Sequence, residues 1–318
     1  MTHKKQMGFS LMETMVSIAV LLAVGGIVMS GMAQLMRTQG TIANRTDMHT
    51  SVRSATELLQ QEIGQAGKVS LAPPLANVSL AAAVNLGSNG FTLQASDGST
   101  PAVYLGEALT VDVGAKQEVV TVGGSASSPT ALFQVGHAAG APVSALGAFA
   151  TGIVPPGAPA PNSPGSSGTV LKLYGDINSD GNMLYVEYTC TPGTTANPGS
   201  LYRNQMSITA GAKPAVDNTM ILLNNVLTNP NDPNGNAVPC FTYQVQPLGA
   251  GTCVTDVAVT LTVQTANKDP QTGQFQTETK ALLNVSPRNV VEVYATASLT
   301  DPLRAQVIPP TVSALLGP

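Results

Sequence analysis

From Phe9 to Met36 the chain carries one charged residue, Glu13, and no proline; between Thr14 and Met36 it carries no charge at all. As a helix rising about 1.5 Å per residue, those roughly 23 residues span about 35 Å, enough for a bilayer core of about 30 Å. Lys4 and Lys5 precede the run, which favours a cytoplasmic N-terminus and places the rest beyond the inner membrane. Glu13 is the exception. A carboxylate in a membrane helix costs on the order of 3 kcal/mol, so it calls for a partner.

The helical pattern outlasts the apolar run. Ile42, Met48, Val52, Ala55, Leu59, Ile63 and Ala66 recur mostly at spacings of three or four, with Arg45, Asp47, Arg53, Glu57 and Glu62 between them. Gly67 is a helix stop and Pro73 is the first proline. One helix is therefore expected from Phe9 to about Ala66. Residues 9–36 form a transmembrane half and residues 37–67 an amphipathic half that packs under a globular domain.

Gly8-Phe9-Ser10-Leu11-Met12-Glu13, after the short polar leader MTHKKQMG and before an apolar helix, resembles the type III signal of prepilins and pseudopilins. The resemblance covers about 30 residues. It implies that residues 1–8 are a leader removed by a prepilin peptidase, which cuts between Gly8 and Phe9 and N-methylates Phe9. It also implies that Glu13 pairs with the N-terminal amine of a neighbouring subunit during assembly. The physics agrees: a free amine with a pKa near 8 is mostly cationic and neutralises a carboxylate away from water. Two plainer readings compete. One is a secretory signal peptide cut after Gly31-Met32-Ala33, leaving a start near Gln34; the other is a simple signal anchor. Against the first, the apolar run is long for a signal and helical patterning continues through the cut.

Residues 71–168 shift to Ala, Gly, Ser, Pro and Val and read as a β-rich insertion. Its strand-like runs are 90–95, 108–113 and 118–122, and the stretch from Val111 through Phe133 to His137 looks like a small all-β module of bacterial surface proteins. Residues 154–168, VPPGAPAPNSPGSSG, read as a linker or exposed loop. Past Thr169 the strands sharpen at 169–174, 183–189, 200–203, 220–226, 241–246, 254–265 and 278–283, and residues 267–273 make a hairpin turn. The order of these elements over about 170–295 resembles the PilW-like minor pilins, relatives of the J-type minor pseudopilin of type II secretion. The expected fold is thus α+β and pilin-like, with a long N-terminal helix on an antiparallel β domain at 169–297. A loose tail is expected at 298–318.

Chemistry is sparse. With 10% charged residues and a net charge of −4, no basic stripe forms and nucleic-acid binding is not expected. Asp176-x-Asn178-x-Asp180-Gly181-x5-Glu187 matches the EF-hand loop pattern. Strand-like flanks would put Glu187 roughly 20 Å along the chain from Gly181, so any calcium would rest on Asp176, Asn178 and Asp180; otherwise the segment is an Asx-rich hairpin turn. Of Cys190, Cys240 and Cys253, Cys240 and Cys253 are nearest in sequence and are the expected disulfide if the region is exported; a reduced, buried trio is the alternative. His3, His49 and His137 form no catalytic pattern, and Tyr174, Tyr185, Tyr188 and Tyr202 fall on strands as packing residues. No enzyme motif is present. The expected function is a minor pilin or pseudopilin that starts or caps a type IV pilus or type II secretion pseudopilus. Its partners would be the prepilin peptidase, other pilins or pseudopilins and the inner membrane, with no cofactor unless calcium. The alternatives are a secreted β-rich adhesive protein and a membrane-tethered hydrolase.

Overall fold

The computed structural model describes residues 10–69, 78–96, 98, 100–101, 103, 105–125, 127–144, 149–180, 182–248, 251–289, 305–306 and 308–317. Its elements in chain order begin with helix α1 (Leu11–Gln65) and strands β1 (Lys68–Val69), β2 (Val78–Leu80), β3 (Gly87–Gly90), β4 (Leu93–Gln94) and β5 (Ala108–Val111). There follow β6 (Glu118–Thr121), β7 (Gly123–Ser125), β8 (Ser128–Phe133), β9 (Pro142–Ser144) and β10 (Phe149–Ala150). The main-sheet strands are β11 (Val170–Gly175), β12 (Leu184–Thr191), β13 (Gly199–Ser207), β14 (Ile221–Leu227), β15 (Phe241–Leu248), β16 (Gly251–Gln264) and β17 (Thr277–Val285). The chain closes with β18 (Ala305–Gln306) and α2 (Pro310–Leu315). A long apolar N-terminal helix followed by antiparallel sheets is an α+β arrangement.

The chain divides into two compact units, Met1–Thr50 with Gln264–Thr277, and Ser51–Val263 with Glu278–Pro318. In the first, the apolar residues of α1 from Leu11 to Met36 are exposed. Beyond them the turn between β16 and β17 holds the helix through one stripe of side chains. Thr41 Oγ1 donates to Asp269 Oδ1 (2.6 Å), Gln271 Nε2 donates to Thr38 Oγ1 (3.0 Å) and Arg45 Nε donates to Gln276 Oε1. Positions 38, 41 and 45 share a face because they lie three and four apart. Gly40 completes the contact: a Cβ there would stand 3.1 Å from Pro270 Cγ.

In the second unit the expected stripe, Val52, Ala55, Leu59, Ile63 and Ala66, is buried. Burial of a side chain such as Leu59 or Ile63 contributes roughly 1.5–3 kcal/mol. The main sheet runs β11-β12-β13-β14-β16-β15, with β17 also on β16. Its strands coincide closely with those read from alternation, because one apolar face fixes register. Its other face carries a second core, in which Tyr174, Tyr185, Met206 and Ile208 pack with Val312, Leu315 and Leu316.

That second core corrects the expected loose tail. Of 298–318, the described residues 305–306 extend a small sheet beside β10, and α2 is seated on apolar side chains; Val312, Leu315 and Leu316 supply the burial that holds it. The 154–168 segment is likewise more than an exposed linker. Val154 N–H donates to Lys172 O, Ser166 Oγ accepts from Lys172 N–H, and Val154 and Ser166 are buried.

Residues 78–144 form two small sheets, β4-β2-β9-β5-β6 and β3-β8-β7. They share a core of their own that includes Leu80, Leu109, Val120, Phe133 and Val143. The strand expected at 90–95 is broken at Phe91 and Thr92, whose backbone groups bond instead to Pro129 and Ala81. Where α1 ends, Gly67, Gly152 and Gly175 meet. Gly67 and Gly152 have φ of 84° and 73°, and a Cβ on Gly152 would stand 2.2 Å from Gly67 N.

Candidate functional site

The first turn of α1 is a capping box, S-x-x-E. Ser10 Oγ accepts the Met12 N–H (3.3 Å), and Glu13 Oε2 accepts the Ser10 N–H (3.2 Å). Both bonds satisfy amide groups that a helix start leaves without intrahelical partners. A carboxylate in the first turn also meets the positive end of the helix dipole. Gly8 and Phe9, expected to flank the cut, lie outside the described residues, as does His3. Among the described residues one helix is long and apolar enough to cross a membrane, and none of its apolar window is buried. Glu13 therefore stands at the head of an exposed apolar surface, four positions along the sequence from Phe9, whose amine the expected cleavage would free.

The expected calcium residues lie on the turn between β11 and β12. Asp176 Oδ1 accepts the Asp180 N–H (3.0 Å) and Asp180 Oδ1 accepts the Asn182 N–H (2.8 Å), the Asx-turn chemistry anticipated for this segment. Asn178 lies within the same turn. Glu187 stands mid-strand, opposite Lys172 on one side and Asn204 on the other. Its carboxylate accepts from Tyr185 Oη (2.7 Å) and Lys213 Nζ (3.2 Å), so a fold-back onto the turn is closed to it. Among the described residues no cluster of three or more His, Cys, Asp or Glu is arranged to hold a metal.

The disulfide joins Cys190 to Cys240, not Cys240 to Cys253. The two bonded residues flank one turn: Cys190 N–H donates to Thr169 O, and Phe241 N–H donates to Gly168 O. Cys240 and Cys253 are close in sequence because a hairpin connects them, but register separates them. Cys240 O accepts from Thr260 N–H, while Cys253 faces Gln246, seven positions or about 23 Å along the strand. Cys253 is free and buried, and burial pushes its thiol pKa up.

Two buried polar assemblies were not legible in the sequence. Glu62, on the apolar stripe of α1, receives Tyr188 Oη and the Arg203 guanidinium. Burial pushes the Tyr188 phenol far above its usual range, and the Glu62 charge adds to that. In the insertion, the fully buried His137 ring bonds Asp112 through Nδ1 (3.0 Å) and Glu118 through Nε2 (2.7 Å). Tyr174 and Tyr185 are buried packing residues of the main sheet, as their strand positions implied, and burial raises the Tyr174 pKa to about 12. Beside the end of α1, Glu57, Gln60, Gln61, Gly64, Gln65 and Arg288 line a cleft of about 280 Å³.

The chain matches no protein-family model, no curated protein and no solved structure.

Proposed function

We propose that the chain is a minor pilin or pseudopilin, a structural subunit that starts or caps a type IV pilus or type II secretion pseudopilus. The reading rests on one observation: a lone carboxylate, Glu13, in the first turn of a helix whose next 23 residues, Thr14–Met36, carry no charge and are exposed. Such a surface needs lipid or other apolar helices around it. The carboxylate needs a cation, and an α-amine freed at Phe9 supplies one. The capping box is compatible with this, because a carboxylate has about four acceptor sites and Ser10 N–H occupies one.

In this reading a prepilin peptidase removes residues 1–8. The protein stands in the inner membrane with its β domain outside, and neighbouring pilins or pseudopilins receive its helix. Its work is done by surfaces, so no catalytic residue is invoked. Calcium on the Asp176, Asn178 and Asp180 turn is the one cofactor admitted, with Glu187 excluded. A secretory cut near Gln34 would fall inside α1, which runs unbroken from Leu11 to Gln65.

Mass spectrometry of the mature N-terminus in a host carrying the peptidase tests the proposal. An N-methylated Phe9 is expected. Retention of Met1, or a start near Gln34, overturns it.

A further inference from the structure

His137 is held in a way that ordinary core packing does not require. Its side chain is fully buried, yet each ring nitrogen faces a carboxylate, Asp112 Oδ2 at 3.0 Å and Glu118 Oε1 at 2.7 Å. A neutral imidazole has one N–H. Whichever nitrogen lacks the hydrogen then points a lone pair at an anion from which water is largely excluded. Only the imidazolium satisfies both contacts.

The carboxylates are themselves built in. Glu118, at the start of β6, accepts the Gln134 N–H (2.7 Å) and the Val135 N–H (3.3 Å). Asp112, at φ 65° just after β5, accepts the Val113 N–H (2.9 Å). His137 is tied to the far side of the module by paired backbone bonds with Val84, and its ring meets the edge of Phe133, centroids 5.7 Å apart. One ring thus joins the turn after β5, the head of β6, the 134–137 segment and Val84. Lys116, in the same turn, adds its charge to that felt by Asp112.

We propose that His137, Asp112 and Glu118 form a proton-operated latch: the protonated ring locks the β5–β6 turn to the 134–137 segment, and loss of one ring proton releases them. The latch does not depend on the filament reading, although export would expose it to the pH of the surroundings.

The titration directions agree with the geometry. Burial works against a charged ring, but hydrogen bonds to Asp112 and Glu118 outweigh it and raise the His137 pKa above its ordinary 6.5. The ring's contribution is therefore fully present below 6.5 and is lost as pH rises through the raised value. Asp112 is lowered chiefly by its bond to His137. At Glu118 burial opposes, but the Gln134 N–H and the ring prevail. Their contributions are present above the ordinary 3.8 and 4.5 and are lost as pH falls through the lowered values. The module should be tightest between those limits.

The test is a histidine NMR titration of the full chain in detergent, with amide hydrogen exchange followed in parallel. One ring signal, absent in His137→Gln, should stay protonated well past the ordinary value of about 6.5. Between about 6.5 and its midpoint the Val113, Gln134 and Val135 amides should open about tenfold more per pH unit than β12 amides, corrected for intrinsic exchange, and level off above it, since one unit is a tenfold change. A His137 ring titrating at or below 6.5 overturns the latch, as does a raised ring value with no selective opening. If His137→Gln does not fold, the wild-type ring, assigned through its contact with Phe133, still decides.

Discussion

Glu62 and Arg203 are 141 residues apart in sequence and form a two-pronged ion pair beneath the main sheet, with Arg203 Nε 3.1 and 3.2 Å from the two carboxylate oxygens. Tyr188 Oη donates to the same carboxylate. Glu62 is 3% exposed, so the pair is the polar anchor between the helix's apolar stripe and β12–β13.

Breaking a buried pair on one side strands the other charge, at a cost of roughly 3–5 kcal/mol. Arg203→Met should therefore destabilise the β domain by about that much in denaturant titration. The double variant Glu62→Gln with Arg203→Met should recover a large part, because no charge is then left buried. A double variant no better than Arg203→Met alone would show that packing at these positions, not charge, sets the cost.

The disulfide closes a loop of 50 residues, for which chain entropy gives about 4 kcal/mol of stabilisation. Cys190→Ser with Cys240→Ser should lower the melting temperature by roughly 8–16 °C for a domain of this size. Cys253→Ser should leave the disulfide intact, and the Cys253 thiol should react with a thiol reagent only after unfolding, since it is buried and its pKa raised. Rapid labelling of the native oxidised protein would contradict the assignment.

The sequence made legible whatever periodicity controls. The three- and four-residue spacing from Val52 to Ala66 gave the buried helix face, and alternation at Val257, Val259, Leu261 and Val263 gave the longest strand. Contacts decided by register or long separation were hidden. Cys240 and Cys253 look paired until the hairpin sets them far apart along its length. Glu62 reads as one more charge on the polar face, and nothing local announces Tyr188 and Arg203. The proline-rich 154–168 segment carries no period, and Val312, Leu315 and Leu316 offer only a single turn of three- and four-residue spacing, yet they cover the sheet face opposite the helix. At the candidate site the S-x-x-E spacing of Ser10 and Glu13 carries the signal for the cap, one overlooked beside the carboxylate's charge.

The glycine junction carries its own expectation. Gly152, at φ 73°, has Gly67 N 2.2 Å and Ala66 C 2.5 Å from where its Cβ would be, and both atoms belong to backbone. Gly152→Ala therefore combines left-handed strain with a clash that no rotamer relieves. It should cost more than the roughly 1–2 kcal/mol that the left-handed conformation alone costs a residue with a Cβ. Gly211→Ala, where nothing lies within 4 Å, is the control and should be near neutral.

Asp269 gives the clip on the helix an acid limit. Thr41 Oγ1 and the Gln271 N–H hold its carboxylate pKa down at about 2, below an ordinary 3.8. A lowered carboxylate contributes stability above its unfolded value and loses it as pH falls through the folded one. Between about pH 4 and pH 2 the Gln271 and Gly273 amides should lose exchange protection selectively. Asp269→Asn should show that loss already at neutral pH. Equal protection in the variant and the wild type would remove Asp269 from the clip.

Glu13 has two roles to separate, cap and charge, and conservative substitutions divide them. Glutamine completes a capping box as glutamate does, whereas alanine removes both cap and charge. If pairing with a neighbour's amine drives assembly, Glu13→Gln and Glu13→Ala should both insert into the membrane and both fail to enter filaments. If the carboxylate serves only the first turn, Glu13→Gln should assemble normally and Glu13→Ala alone should fail. Fractionating membranes from sheared filaments, with the mature N-terminus read in each, measures both outcomes in one experiment. Normal incorporation of Glu13→Gln would leave a capped helix with no electrostatic part in assembly, and the filament proposal would lose the observation that carries it.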